Sequence, residues 1–271
     1  MWQNNNCMIN YRVYGNGIPI IFLHGYRLDK NSLEIFFEKN ANYEYLNIFK
    51  RFYIDLPGMG KSTPGENIST SVDILNCLNE FITDIIGNET FFLVGQSYGG
   101  YLAQGLLNLR SEQIGGVFLM CPVVKALKRD RILPVKTKPN IFGFEEIPQN
   151  IIFEGFMENN INVNPENWAR YQNEIVKGLQ AGNQVFLDEL EIKGYKFEFE
   201  EELSRNIYKV PAYILLGKQD SVVGYLDMSF FLSQFTNCNF HVLNEAGHNI
   251  QIDQSNLVIQ LFDNFLNQVI K

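Results

Sequence analysis

The chain has 271 residues, 46% of them hydrophobic and 14% aromatic, which is enough to bury a sizeable core in one domain with an insertion. A net charge of -8 and a pI near 5.0 exclude a phosphate-backbone partner, because such binding needs clustered Lys and Arg. "MWQNNNCMINYRVYG" has no basic-then-apolar leader and no apolar run approaches the ~20 residues that cross a bilayer, so a cytoplasmic protein without nucleic-acid or membrane partner is expected.

In chain order, apolar runs bounded by breakers predict strands near Cys7–Tyr14, Ile20–Leu23, Phe49–Ile54, Phe91–Val94, Gly116–Met120, Ala212–Leu216 and Asn239–Leu243. Between them, apolar residues at helical spacing predict helices near Asn31–Glu38, Ser69–Ile86, Tyr98–Leu109, Leu226–Gln234 and Asn256–Ile270. This alternation, with short strands apolar throughout, implies an α/β fold: a mostly parallel central sheet with helices on both faces. The alternation lapses from about Val124 to Arg205, where Phe, Asn, Lys and Glu dominate. The chain therefore divides into a core over 1–123, a largely helical insertion over 124–205 and the rest of the core over 206–271. The charged runs "KALKRDR" and "FEFEEEL" read as solvated faces of the insertion.

The cysteines, Cys7, Cys77, Cys121 and Cys238, sit in apolar surroundings without the short spacings of a metal or dithiol site, and read as reduced core thiols. Only Cys121, ending "GGVFLMC", comes near a functional edge. With three histidines there is no His-rich metal site, and neither metal nor cofactor is expected. "DLPGMGKST" imitates a nucleotide-binding P-loop, but the glycine required five residues before Gly60 is Asp55, whose charge would repel phosphates.

Ligands of open parallel sheets bind at the carboxyl ends of the strands, so the polar residues that follow each strand are the candidates. "IIFL" is followed by His24, Gly25 and Tyr26; "FYI" by Asp55; "FLV" leads to Ser97; "AYILLGKQ" by Asp220; and "FHVLNEAG" by His248. A serine hydroxyl needs a neighbouring base to attack at neutral pH, His248 can supply it, and a carboxylate such as Asp220 can fix the imidazole tautomer. The amides of Tyr26 and Tyr98 are the candidate oxyanion donors. Asp55 reads as a turn organiser, and His241, within "NFHVL", as a structural histidine.

These motifs, taken together and in order, resemble the α/β-hydrolase family. "GQSYG" matches its nucleophile elbow, "FLHG" with Tyr26 its oxyanion turn, "LLGKQDSVV" its acid turn and "NEAGHNIQID" its histidine loop, in the family's order Ser97, Asp220, His248. The resemblance implies a catalytic triad of those three residues, an oxyanion hole at Tyr26 and Tyr98, and support from His24, Gly25, Gly95 and Gly99. It also implies that 124–205 forms a cap over the pocket. The expected activity is hydrolysis of a small or medium acyl substrate, most simply a carboxylic ester. A serine at the elbow argues against the related dehalogenases and epoxide hydrolases. Three alternatives stay open: a carbon–carbon bond hydrolase, although Asn249 stands where those enzymes carry an aromatic residue; an aminopeptidase using Glu145, Glu146 or Glu154 to hold an amine; and a non-catalytic binding protein. Phe142, Phe144, Phe153, Phe156 and Trp168 are candidates for an apolar acyl site.

Overall fold

The computed structural model describes residues 1–203, 205–229 and 232–270. Seven strands form the main sheet: β1 (Tyr11–Tyr14), β2 (Ile18–Leu23), β3 (Phe49–Ile54), β4 (Phe91–Gln96), β5 (Ile114–Met120), β6 (Ala212–Gly217) and β7 (Cys238–Leu243). Their spatial order is β7-β6-β5-β4-β2-β3-β1, and every neighbouring pair is parallel except β1 with β3. The interior strands β4 and β6 are buried along their whole length, which explains their apolar runs FFLVG and AYILLG. The edge strand β7 is mostly half-buried and correspondingly more polar.

Helices α1 (Asn31–Asn40), α2 (Ser71–Ile85) and α3 (Tyr98–Arg110) follow β2, β3 and β4. In α2 the Thr70 side chain accepts from the Asp73 amide while Asp73 accepts from the Thr70 amide, a reciprocal cap that starts the helix where the sequence pattern begins. Its apolar stripe of Ile74, Leu78, Phe81 and Ile82 is buried. The predicted helix over Leu226–Gln234 is present as Leu226–Ser229 and a turn at Leu232–Gln234; Phe230 and Phe231 lie outside the described residues.

Between β5 and β6 the chain builds α4 (Ile151–Asn159), α5 (Pro165–Tyr171) and further short helical pieces, including Lys177–Ala181 and Gln184–Glu189. The asparagine-rich composition has a structural use here: the side chains of Asn150, Asn164 and Asn183 accept from the amides of Phe153, Asn167 and Phe186, capping three helices. The segment has its own small core of Phe153, Phe156, Val163, Tyr171 and Ile175, joined by Leu28 and Ile252. The last helix, α6 (Ser255–Val269), returns to the sheet, where Phe262 meets Phe37 of α1 at 4.4 Å between ring centroids. Among the described residues, no helix is long and apolar enough to cross a membrane.

Two readings of side chains change. Cys7 and Cys77 are not separate thiols but a disulfide, with Cα atoms 6.9 Å apart and a sequence separation of 70 that leaves no local motif. Glu200, within "FEFEEEL", is buried rather than solvated, because it accepts from the Tyr101 hydroxyl at 2.6 Å and the Ala126 amide at 3.0 Å. These bonds replace the water that a buried carboxylate loses and tie the insertion to α3.

Candidate active site

Ser97 occupies the turn between β4 and α3 with φ 53° and ψ -113°, a conformation that costs an ordinary L-residue roughly 1–3 kcal/mol. Its amide donates to the Met120 carbonyl, and its carbonyl accepts from the amides of Tyr101 and Val123, so the strained backbone is held on three sides. The glycines make the turn possible: a Cβ on Gly99 would lie 1.9 Å from the Leu23 carbonyl oxygen, and one on Gly95 would lie 2.8 Å from the Cα of Gly100.

The turn brings the serine to the carboxyl edge of the sheet, beside residues from two later strands. His248 Nε2 is 2.9 Å from Ser97 Oγ, and His248 Nδ1 is 2.9 Å from Asp220 Oδ2. The other Asp220 oxygen accepts from the amides of Val222 at 2.8 Å and Val223 at 3.0 Å. Burial disfavours the Asp220 charge, but His248 and these donors outweigh it and hold the carboxyl below its ordinary value of 3.8. An ionised Asp220 fixes the Nδ1–H tautomer and leaves Nε2 free to accept the serine proton. The arrangement can activate a hydroxyl nucleophile.

Tyr98 opens α3, so its backbone N–H has no intrahelical acceptor, and it follows Ser97 directly. Tyr26 lies across the cleft in the turn after β2, where the Leu28 amide donates to the Gly25 carbonyl at 3.2 Å. The two tyrosine rings meet edge to face with centroids 5.5 Å apart. His24 is fully buried beneath this turn. Its Nδ1 is 2.8 Å from the Gly25 carbonyl, and its Nε2 accepts from the Leu56 amide at 3.0 Å, an assignment that requires the neutral ring. Burial lowers its pKa in the same sense. Asp55 binds the Lys30 and Lys61 amides, the Lys30 ammonium and the Asn10 side chain, organising the adjoining loop.

A cavity of about 500 Å³ opens over Ser97 and His248. The core contributes Tyr26, Gln96 and Val223, and the insertion contributes Tyr171, Ile175, Leu179 and Tyr195. The aromatic candidates from the sequence lie elsewhere. Phe153, Phe156 and Trp168 pack on one another, Phe144 packs against Phe153, and Phe142 is exposed; none of the five lines the cavity. Glu145, Glu146 and Glu154 are exposed and do not line it either, so the acidic residues named for holding a substrate amine stand away from the cavity.

Other residues near the site carried little sequence signal. Asn249 donates to Asn160 at 2.9 Å, and buried Asp253 accepts from the amides of Gly247, Ile161 and Asn162, clamping the insertion to the histidine loop. Cys121 is fully buried, with its sulfur among an Asp220 oxygen and a His248 nitrogen, all within 4.8 Å of one another. Burial and the Asp220 charge push its thiol pKa up, so it stays protonated. His241 lies on β7 beside the Tyr213 ring, apart from this cluster.

Fold and site together define an α/β protein with a hydrogen-bonded serine, histidine and aspartate at the carboxyl edge of its sheet. The chain belongs to the α/β-hydrolase family, whose sequence profile matches residues 18–255. It is similar to a solved α/β superfamily hydrolase from Oenococcus oeni PSU-1, at 40% identity over 97% of both chains with a TM-score of 0.88. Human monoacylglycerol lipase ABHD6 is 22% identical over 94% of this chain and 77% of its own length. A thermophilic esterase from Thermogutta terrifontis shares the fold at a TM-score of 0.70 and 18% identity, covering 96% of this chain and 93% of that one.

Proposed function

We propose that this α/β-hydrolase is a carboxylic ester hydrolase acting on a small or medium acyl substrate through an acyl-enzyme on Ser97. The observation that carries the reading is the continuous relay from Ser97 Oγ to His248 Nε2 and from His248 Nδ1 to Asp220, each step 2.9 Å, beneath a cavity of about 500 Å³. The lipase and esterase names of its relatives support the ester class.

Ser97 Oγ attacks the acyl carbonyl as His248 takes its proton, and Asp220 stabilises the imidazolium. The Tyr26 and Tyr98 amides receive the oxyanion, as fixed donors that need no reorganisation during the step. Collapse expels the alcohol with a proton from His248, and water activated by the same imidazole then releases the acid. Residues 124–205 act as the cap that roofs the cavity.

Hydrolysis of nitrophenyl esters of increasing acyl length, with wild-type and Ser97→Ala proteins side by side, tests the reading. Turnover should be serine-dependent, and a fluorophosphonate should label Ser97 rapidly. Equal turnover by folded Ser97→Ala protein would sink it.

A further inference from the structure

The chain carries a net charge of -8, yet the wall of the Ser97 cavity has the opposite sign: Arg27, Lys128, Arg129 and Arg131 line it against the single carboxylate of Glu191. Glu191 is already engaged by Lys128 at 2.6 Å and by Arg27 at 3.4 Å, and Arg27 also pairs with Asp188. Arg129 is largely exposed, with Asp130 at 3.9 Å. Arg131 differs from all three, since among the described residues no carboxylate lies within ion-pair distance of it.

Its guanidinium is nevertheless fixed. Nε donates to the Lys125 carbonyl at 2.8 Å, one terminal nitrogen to Val222 at 2.9 Å and the other to Ala126 at 2.9 Å. The side chain therefore bridges the loops that leave β5 and β6, immediately beside the turn that holds Asp220. Carbonyl groups orient a guanidinium without cancelling its charge. Three of its five N–H donors are used in this way, and the group lies beside the Tyr195 hydroxyl in the wall that both residues line. A fixed, half-buried and uncompensated fork of this kind matches a carboxylate, and because the cavity lining carries more cations than its one carboxylate, Glu191, the local field favours an anion.

We propose that the substrate is an ester whose far end carries a carboxylate, received by Arg131 in the wall of the Ser97 cavity. The inference rests on the ester-hydrolase reading and adds the substrate's charge to it. Arg131 acts by binding and takes no part in bond making.

The test compares monomethyl adipate with methyl hexanoate, which differ chiefly in a terminal carboxylate against a methyl group, by pH-stat hydrolysis. The wild-type protein should favour the adipate in kcat/KM, with a ratio that falls as ionic strength rises. Arg131→Gln should lower that ratio roughly tenfold or more, mainly through KM, and Arg131→Lys should recover part of it. A wild-type ratio of one or less, or an Arg131→Gln defect equal for both esters, would reduce Arg131 to a loop staple and overturn the proposal. Calorimetry on Ser97→Ala protein separates this from failure of the ester reading, because it needs no turnover. Tighter binding of monomethyl adipate than of methyl hexanoate, lost in the Ser97→Ala, Arg131→Gln double variant, supports the anion site even where neither ester is hydrolysed; equal binding overturns it.

Discussion

His248 has both ring nitrogens committed, one to Ser97 and one to Asp220, so its tautomer is set by the carboxylate rather than by solvent. Asp220→Asn would present an amide of nearly the same shape that no longer demands the Nδ1–H tautomer. We expect kcat to fall about 10³–10⁴-fold with the fold intact, read by ester kinetics beside circular dichroism. The pH dependence has a definite sign. Asp220 is held below its ordinary 3.8 in the folded protein, so its contribution to stability is present above that unfolded value and lost as pH falls through the folded one. Urea unfolding of wild-type and Asp220→Asn proteins from about pH 7 to pH 3 should show wild type losing stability more steeply below about pH 4. Parallel curves would remove Asp220 as the cause. The same direction means that an acid limb in kcat/KM above about pH 4 does not come from protonating Asp220.

At the scale of elements, the junction of β4 and α3 sets the geometry, and Gly99 is its tightest point. Gly99→Ala would drive a methyl group into the Leu23 carbonyl, part of the backbone of an interior strand that cannot withdraw. A loss of about 3 kcal/mol or more is expected, seen in the urea midpoint together with lost turnover. A variant as stable as wild type would show that the turn has room to relax. This junction was legible in the sequence because its causes are local: an apolar run for the buried strand, small residues where backbones approach, and helical spacing directly after Ser97. Four of the five expected helices, α1, α2, α3 and α6, and the parallel strands were legible for the same reason, whereas the expected Leu226–Gln234 helix is present only as Leu226–Ser229 and a turn. Arg131 and Glu200 were not. Both sit in charged runs that satisfy the pattern of a solvated face, and what buries them is contact with loops and helices distant in sequence. A partial signal existed for Arg131, since "KALKRDR" begins just after β5 reaches the carboxyl edge where ligands bind. The aromatic residues of the insertion misled in the opposite direction, because a segment with its own small core needs them for packing.

For the whole molecule, the Cys7–Cys77 bond has the widest reach, since it closes a loop of sequence separation 70 that contains β1, β2, β3 and α1. It fastens the N-terminal ribbon, in which Trp2–Gln3 pairs antiparallel with Cys7–Ile9, to α2, where Trp2 already donates to Asp84 at 2.9 Å and packs edge-on against Phe81. On chain-entropy grounds a bond closing so long a loop destabilises the unfolded chain by about 4 kcal/mol. The bond also stands against the cytoplasmic expectation, because cytosolic thiols are usually kept reduced. Alkylation of denatured protein, before and after reduction, decides between the two. With the bond formed, only Cys121 and Cys238 should react before reduction and all four cysteines after it. Reduction should lower the thermal midpoint, and a Cys7→Ser, Cys77→Ser variant should start from that lower value and not respond to reductant. Four reactive thiols in unreduced protein would return Cys7 and Cys77 to a packed but unbonded pair, with the ribbon held by Trp2 and its neighbours alone.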